Sequence, residues 1–251
     1  MTNILLSGSN GQMGQVVSRL CQEGGQATVA AGLDLDTTRR FAYPVFTDPG
    51  EFTGQADVLL DFSVSSAIMP LLDYCKASSL PMVIATTGYN QNQQEAIRAA
   101  SGEIPVFQAG NFSLGISLLT DLVKRACAVL GEGFDVEIIE RHHNRKVDAP
   151  SGTALMLYNA AASALPYQAK PVYDRHEARA RRDSHEVGLH AVRGGTIVGE
   201  HEVVFAGHHE VVTLSHSAGS REVFAAGALR AAVFLAGITK PGLYDMGDLL
   251  R

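Results

Sequence analysis

Ile4-Leu5-Leu6-Ser7-Gly8-Ser9-Asn10-Gly11-Gln12-Met13-Gly14 decides the architecture of this chain. A short apolar run stops at Gly8, and Val16, Val17, Leu20 and Cys21 then recur at helical spacing. The pattern is strand, tight turn, helix. Glycine permits the turn and lets backbone N–H groups close on a pyrophosphate, whose charge the positive end of the helix stabilises. Gly8, Gly11 and Gly14 match the usual dinucleotide fingerprint only in part, and an ordinary glycine-rich turn has the same composition. Two details favour a cofactor. The motif lies between the right elements, and Asp34 stands about twenty residues further on at a strand end, where its carboxylate can accept from both hydroxyls of a ribose.

Residues 28–33 form the second strand, and 58–62 and 82–85 read as further strands with helices over 67–76 and 91–100. Such alternation builds a parallel sheet covered on both faces. Beyond Phe107 the pattern changes to a long amphipathic helix over 114–130, a strand over 134–140 and a helix over 151–165. A charged stretch over 173–185, including Arg179, Arg181 and Arg182, is taken as a solvated loop. Alternating segments at 186–192, 199–205 and 210–215 follow, the last two joined as a hairpin around Gly207-His208, before an Ala-rich helix over 224–235. The expected class is α/β: a Rossmann-type parallel-sheet domain over 1–110, completed by 218–251, and a second α+β domain with a mixed sheet over 111–217.

The chain has 251 residues, 46% of them hydrophobic, enough for a sizeable core. A net charge of −6 argues against nucleic acid, whose phosphates call for a cationic surface, and favours a small-molecule ligand. Cys21, Cys75 and Cys127 lie far apart in apolar stretches and read as buried free thiols of a reducing cytosol. The first apolar run meets Gly8 too early for a secretory signal, and no later run is long enough to cross a bilayer. A cytoplasmic protein with no membrane partner is expected.

The densest chemistry lies in Glu140-Arg141-His142-His143-Asn144-Arg145-Lys146, followed by Val147-Asp148-Ala149-Pro150-Ser151-Gly152-Thr153. Consecutive strand residues point to opposite faces, so the two histidines serve different tasks unless the backbone turns there. Lys146 follows in a loop, and the segment from Asp148 to Thr153 has the composition of a helix start. Backbone N–H groups of Gly152 and Thr153, with the Thr153 hydroxyl, can hold a carboxylate there. Adjacent histidines make poor ligands to one zinc ion, and no Cys/His cluster accompanies them, so no metal is expected. His208-His209 at the hairpin turn suits a solvated pair. Arg193 beside Gly194-Gly195 would either reach a second carboxylate or form a structural salt bridge.

Glu140 to Ala154, reading ERHHNRKVDAPSGTA, resembles the signature of the bacterial dihydrodipicolinate (4-hydroxy-tetrahydrodipicolinate) reductase family. The resemblance spans essentially the whole chain, through GSNGQMG, ATTG, AGNFS, GGTIVGEHEVVFAG and GLYDMGDLL in the family's order. It implies reduction of a cyclic dicarboxylate imine or enamine in lysine and diaminopimelate biosynthesis, by a homotetramer assembled through the second domain's sheet. By position, His142 resembles the proton donor or acceptor, Lys146 a second proton donor and His143 a substrate contact, while Gly152 and Thr153 match the substrate-carboxylate site. For the cofactor it selects Gly8, Ser9, Asn10, Gly11, Gln12 and Met13, then Asp34, Ala85, Thr86 and Thr87, and Ala109, Gly110, Asn111 and Phe112.

The charge of Asp34 repels the 2′-phosphate of NADP, which favours NADH, with NADPH as an accepted alternative. Arg39 and Arg40 would reach that phosphate only if their loop folded over the adenosine. Where the family often has an acidic residue followed by arginine, this chain has Asp34-Leu35, which argues against strong NADPH binding. The rival readings are another amino-acid-type NAD(P)-dependent dehydrogenase and a noncatalytic NAD(H) sensor. A sensor has no use for His142 and Lys146, and a DNA-reading one would carry a basic helix-turn-helix that is absent from the sequence.

Overall fold

The computed structural model describes residues 1–176 and 179–250. In chain order its elements are β1 (Thr2–Ser7), α1 (Gln12–Gln22), β2 (Ala27–Leu33), β3 (Val45–Phe46), β4 (Val58–Asp61), α2 (Ile68–Ser78), β5 (Met82–Ile84), α3 (Gln91–Ala100), β6 (Pro105–Gln108), α4 (Leu114–Leu130), β7 (Asp135–His142), α5 (Gly152–Ala164), β8 (Lys170–Val172), β9 (Glu186–Arg193), β10 (Gly199–Ala206), β11 (Val211–Ala218), α6 (Glu222–Ala236), β12 (Gly242–Tyr244) and α7 (Met246–Leu249). The chain forms two compact units, Met1–Ser113 with Glu222–Arg251, and Leu114–Arg221.

The first unit is a parallel sheet in the order β12-β6-β5-β4-β1-β2-β3. Its central strands are unbroken apolar runs because both faces are covered: Ile4, Leu5, Leu6, Val58, Leu59, Leu60, Met82, Val83 and Ile84 are all fully buried. Strand order reverses beside β1, so the carboxyl ends of β1 and β4 diverge into a crevice of the kind that binds ligands in open α/β sheets. Small residues on α6 permit close packing; a Cβ on Gly227 would stand 1.7 Å from the Phe112 carbonyl oxygen.

The second unit is a mixed sheet in the order β11-β10-β7-β9-β8, with β10 antiparallel to both its neighbours and β9 parallel to both of its own. One face is covered. Ile116, Leu119 and Val123 of α4, with Leu157 and Ala161 of α5, pack on Val136, Ile138, Val187, Val203 and Phe205. Alternation in β7 and β10 follows from this, inward residues being buried and their neighbours only partly so.

The α/β class with a second mixed sheet is as expected, and the β10–β11 hairpin turns at exposed His208 and His209. β3, β8 and β12 were not anticipated. Each has two or three residues, too few to carry a period, and is held by a neighbour's ladder. The charged stretch over 173–185 also differs from a solvated loop: Arg175 pairs with Glu186, and Arg182 donates to Glu137 (2.9 Å), Asp135 (2.7 Å) and the carbonyls of Val136 (3.1 Å) and Glu186 (2.5 Å). Residues 177 and 178 of that stretch lie outside the described residues.

Gly14 is where the glycine turn admits no side chain. A Cβ there would lie 2.1 Å from the Gly8 carbonyl oxygen and 2.7 Å from Ser9 Cα, both backbone atoms. Gly14→Ala is therefore expected to destabilise the protein by about 1–3 kcal/mol or more, the usual cost of overpacking; urea denaturation measures it, and wild-type stability would contradict the packing argument.

Candidate active site

In the first unit, Gly8 turns the chain with φ of 74°, and its N–H and that of Ser9 donate to the Leu33 carbonyl at 2.8 and 3.3 Å. A side chain at Gly8 would meet the Phe62 carbonyl oxygen at 2.5 Å, so the loops after β1 and β4 touch through bare backbone. α1 then opens at Gly11 with no side-chain cap. Asp34 is gripped by the turn itself: one carboxylate oxygen accepts from Asn10 N at 2.9 Å and the other from Asp36 N at 3.1 Å. The Asn10 amide group donates to the carbonyls of Asp36 (2.5 Å) and Thr38 (2.9 Å), which fastens this loop to the glycine turn. Arg40 is paired with Asp36 at 2.8 Å, and the Arg39 guanidinium donates to the Ala42 carbonyl. Bonds from the Thr38 side chain and backbone, then Arg40, hold the Asp36 carboxyl down at about 2.

A cleft of about 450 Å³ runs along the ends of β4 and β5, lined by Met13, Phe62, Ser63, Val64, Ser65, Ala85, Thr86 and Thr87. Beneath it lies Asp61, fully buried, which accepts from Ser63 N (3.0 Å) and Ser63 Oγ (2.5 Å). The Asn10 Oδ1 and Thr86 Oγ1 atoms are buried without a hydrogen-bond partner. Orphaned polar atoms around an uncapped helix start, with a glycine cradle that a Cβ would fill, fit a dinucleotide. Phe112 is buried against Phe107, with ring centroids 5.8 Å apart, so its side chain belongs to the core.

In the second unit, β7 ends on His142, which is buried, while His143 is partly exposed. The chain turns after them, Lys146 N donating to the His143 carbonyl at 3.1 Å, and the β9–β10 loop braces the segment through Gly194 N to His142 O at 2.9 Å. Glu140, on the same face as His142, is fully buried and meets four donors: His142 Nδ1 at 2.5 Å, Arg193 Nη1 and Nη2 at 2.7 Å each, and Ser151 N at 3.0 Å. Burial opposes its charge, but the bonds from Arg193, His142 and Ser151 outweigh that and hold the carboxyl below its ordinary range. Of the two roles open to Arg193, this geometry is that of the salt bridge. Lys146 Nζ lies 2.8 Å from Asp148 Oδ1.

Ser151 caps α5 by accepting from Ala154 N at 3.1 Å. The same hydroxyl lies 3.1 Å from Nε2 of His201, whose ring stands edge-on to His142 at 5.2 Å. Loss of hydration, then the charges of Arg145, Arg221, His142 and Lys146, lowers the pKa of His143. Arg221 lies outside every motif that carries the histidines, and although Glu140 opens their segment and Arg193 is a candidate for a carboxylate or a salt bridge, nothing in the sequence pairs the two. Among the described residues no group of His, Cys, Asp or Glu is arranged to hold a metal ion, and no helix is long and apolar enough to cross a membrane.

Burial, then repulsion from His142, pushes the His201 imidazole down to about 4. The unfolded chain therefore binds a proton that the folded one refuses, and stability falls as pH drops from the ordinary histidine value of 6.5 toward about 4. The full loss is on the order of 3 kcal/mol at about 1.4 kcal/mol per pH unit. The depressed carboxylates withdraw their contribution only at lower pH. Urea denaturation at pH 7 and pH 4.5 should show the decline, and His201→Gln should flatten it; an equally steep decline in the variant would contradict this.

The family description "Dihydrodipicolinate reductase, N-terminus" matches residues 2–112, and "Dihydrodipicolinate reductase, C-terminus" matches residues 115–250. The chain is 50% identical over its whole length to a 4-hydroxy-tetrahydrodipicolinate reductase of Caldanaerobacter subterraneus subsp. tengcongensis, covering 99% of that protein. It is 43% identical, again over its whole length and 99% of the relative, to the protein of that name from Clostridium perfringens. A solved structure of dipicolinate-bound dihydrodipicolinate reductase from Paenisporosarcina sp. TG-14 superposes with a TM-score of 0.81 at 24% identity, over 98% of this chain and 97% of that one.

Proposed function

The chain belongs to the dihydrodipicolinate reductase family, an NAD(P)H-dependent oxidoreductase reducing 4-hydroxy-tetrahydrodipicolinate in lysine and diaminopimelate biosynthesis, and we propose that His142, Lys146 and the start of α5 carry its chemistry. The observation behind this reading is the concentration in one short segment of an oriented imidazole, an ammonium and the start of a helix capped by Ser151. One substrate carboxylate is received by Gly152 and Thr153. The other faces the cations about His143, because Arg193 is committed to Glu140. Dipicolinate, bound in the Paenisporosarcina structure, is a planar dicarboxylate of the shape this arrangement would accept.

Gly8 to Met13, Asp34, Ala85 to Thr87 and Ala109 to Phe112 would hold the dinucleotide, which when bound would supply a hydride from nicotinamide C4. His142 and Lys146 deliver the proton and stabilise charge as it develops on the ring, general acid catalysis being worth roughly 10²- to 10⁴-fold. His142→Gln and Lys146→Ala should each lower kcat by about that range while NADH binding stays intact, and Thr153→Val should raise KM. The assay generates the hydroxytetrahydrodipicolinate substrate in situ and follows NADH absorbance. Absence of NADH oxidation by the wild type would defeat the function, and normal turnover in a variant would remove that residue.

NADH is the favoured reductant. The Asp34 carboxylate is set to accept from ribose hydroxyls and to repel a 2′-phosphate, and Arg40, the nearest counter-argument, is paired with Asp36. kcat/KM is expected to be higher with NADH than with NADPH; a strong NADPH preference would overturn the Asp34 argument. Free Cys21, Cys75 and Cys127, with Cys21 and Cys127 pushed up to about 11 by burial, suit a reducing cytoplasm. The sheet face opposite α4 and α5, carrying Ile139, Val204 and exposed Val192 and Val211, is where we place a homotetramer contact. Light scattering should give four chains; a monomer would contradict it.

A further inference from the structure

We infer that Glu140 positions both halves of the substrate site: its carboxylate holds His142 in the Nδ1–H form, so that protons exchange at Nε2, and anchors the cap of α5. The inference rests on the reading of His142 as a proton donor. An ionised carboxylate only accepts hydrogen bonds, and here its two oxygens are shared among four donors. Arg193 takes both oxygens in a fork at 2.7 Å and is itself tied to the Asp148 carbonyl at 2.6 Å, which keeps the carboxylate ionised and fixed in place. A partner of this kind at 2.5 Å from Nδ1 requires that nitrogen to carry its hydrogen in the neutral ring as well as the charged one.

Glycine at 199 keeps a side chain away from the other nitrogen: a Cβ there would stand 3.1 Å from His142 Nε2, tighter than ordinary contact. The remaining bond reaches the substrate cradle directly. Oε1 of Glu140 accepts from the backbone of Ser151, the residue whose side chain caps α5. A buried ion pair with arginine is by itself weak evidence of a role beyond structure. The added bonds to the proton donor and to the cap are what distinguish this one. They register His142 against the helix start, so that a carboxylate bound at Gly152 and Thr153 fixes the distance from the ring to be reduced to Nε2.

Long-range ¹H–¹⁵N correlation spectra of histidine-labelled wild-type protein report the tautomer directly, with His142→Gln assigning the signal. Neutral His142 should be protonated at Nδ1; protonation at Nε2 would overturn the inference. Glu140→Gln should reduce kcat at least about tenfold and weaken binding of pyridine-2,6-dicarboxylate, both anchors being loosened, while NADH affinity is preserved. Retention of both kcat and dicarboxylate affinity in Glu140→Gln would also overturn it. Should that variant fail to fold, the wild-type tautomer decides alone. Normal turnover in His142→Gln would instead defeat the underlying reading of His142, an outcome separate from the tautomer measured.

Discussion

A carboxylate with no solvent exposure must be met by donors on every side, because an ion left unpaired in the interior costs several kcal/mol. Glu140 meets that constraint by drawing in three segments: its own strand at His142, the start of α5 at Ser151 and, 53 residues away, the β9 end at Arg193. Removing any one donor leaves the buried carboxylate short of a hydrogen bond. The second unit therefore ties the end of β7, the start of α5 and the brace between β7 and β9 together through one group.

The first unit solves a different problem by removing side chains. Gly8 and Gly14 bring the β1 turn against β4 and α1 at distances that any Cβ would prevent, and the backbone so exposed is the surface a pyrophosphate needs. Asp34 is joined to the same turn through Asn10 N, so the proposed ribose contact and phosphate contact are held by one hydrogen bond. Arg40, the cation that would oppose the proposed role of Asp34, is paired with Asp36. Cofactor choice in this reading follows from loop bonding rather than from a dedicated pocket.

Most of the architecture was legible because burial on both faces writes strands such as Leu5-Leu6 and Leu59-Leu60 as continuous apolar runs, and burial on one face writes β7 and β10 as alternation. β3, β8 and β12 were not, since short edge strands depend on a neighbour's register more than on their own side chains. Within the site, His142, Lys146 and Thr153 stand close enough in sequence to be read together. Arg193 is 53 residues from Glu140, and only the parallel pairing of β7 with β9, which sets His142 opposite Arg193, brings it to the carboxylate. The opposed faces expected of His142 and His143 agree with the burial of the first and the partial exposure of the second.

The central claim is that one carboxylate cradle and one oriented imidazole share a site built around Glu140, and a crystal structure of the protein with pyridine-2,6-dicarboxylate tests it most directly. One carboxylate should lie within hydrogen-bond distance of the Gly152 and Thr153 amides, with the ring beside His142 Nε2 and Lys146. A dicarboxylate bound away from the start of α5, or lying against Nδ1 with Glu140 displaced, would contradict it.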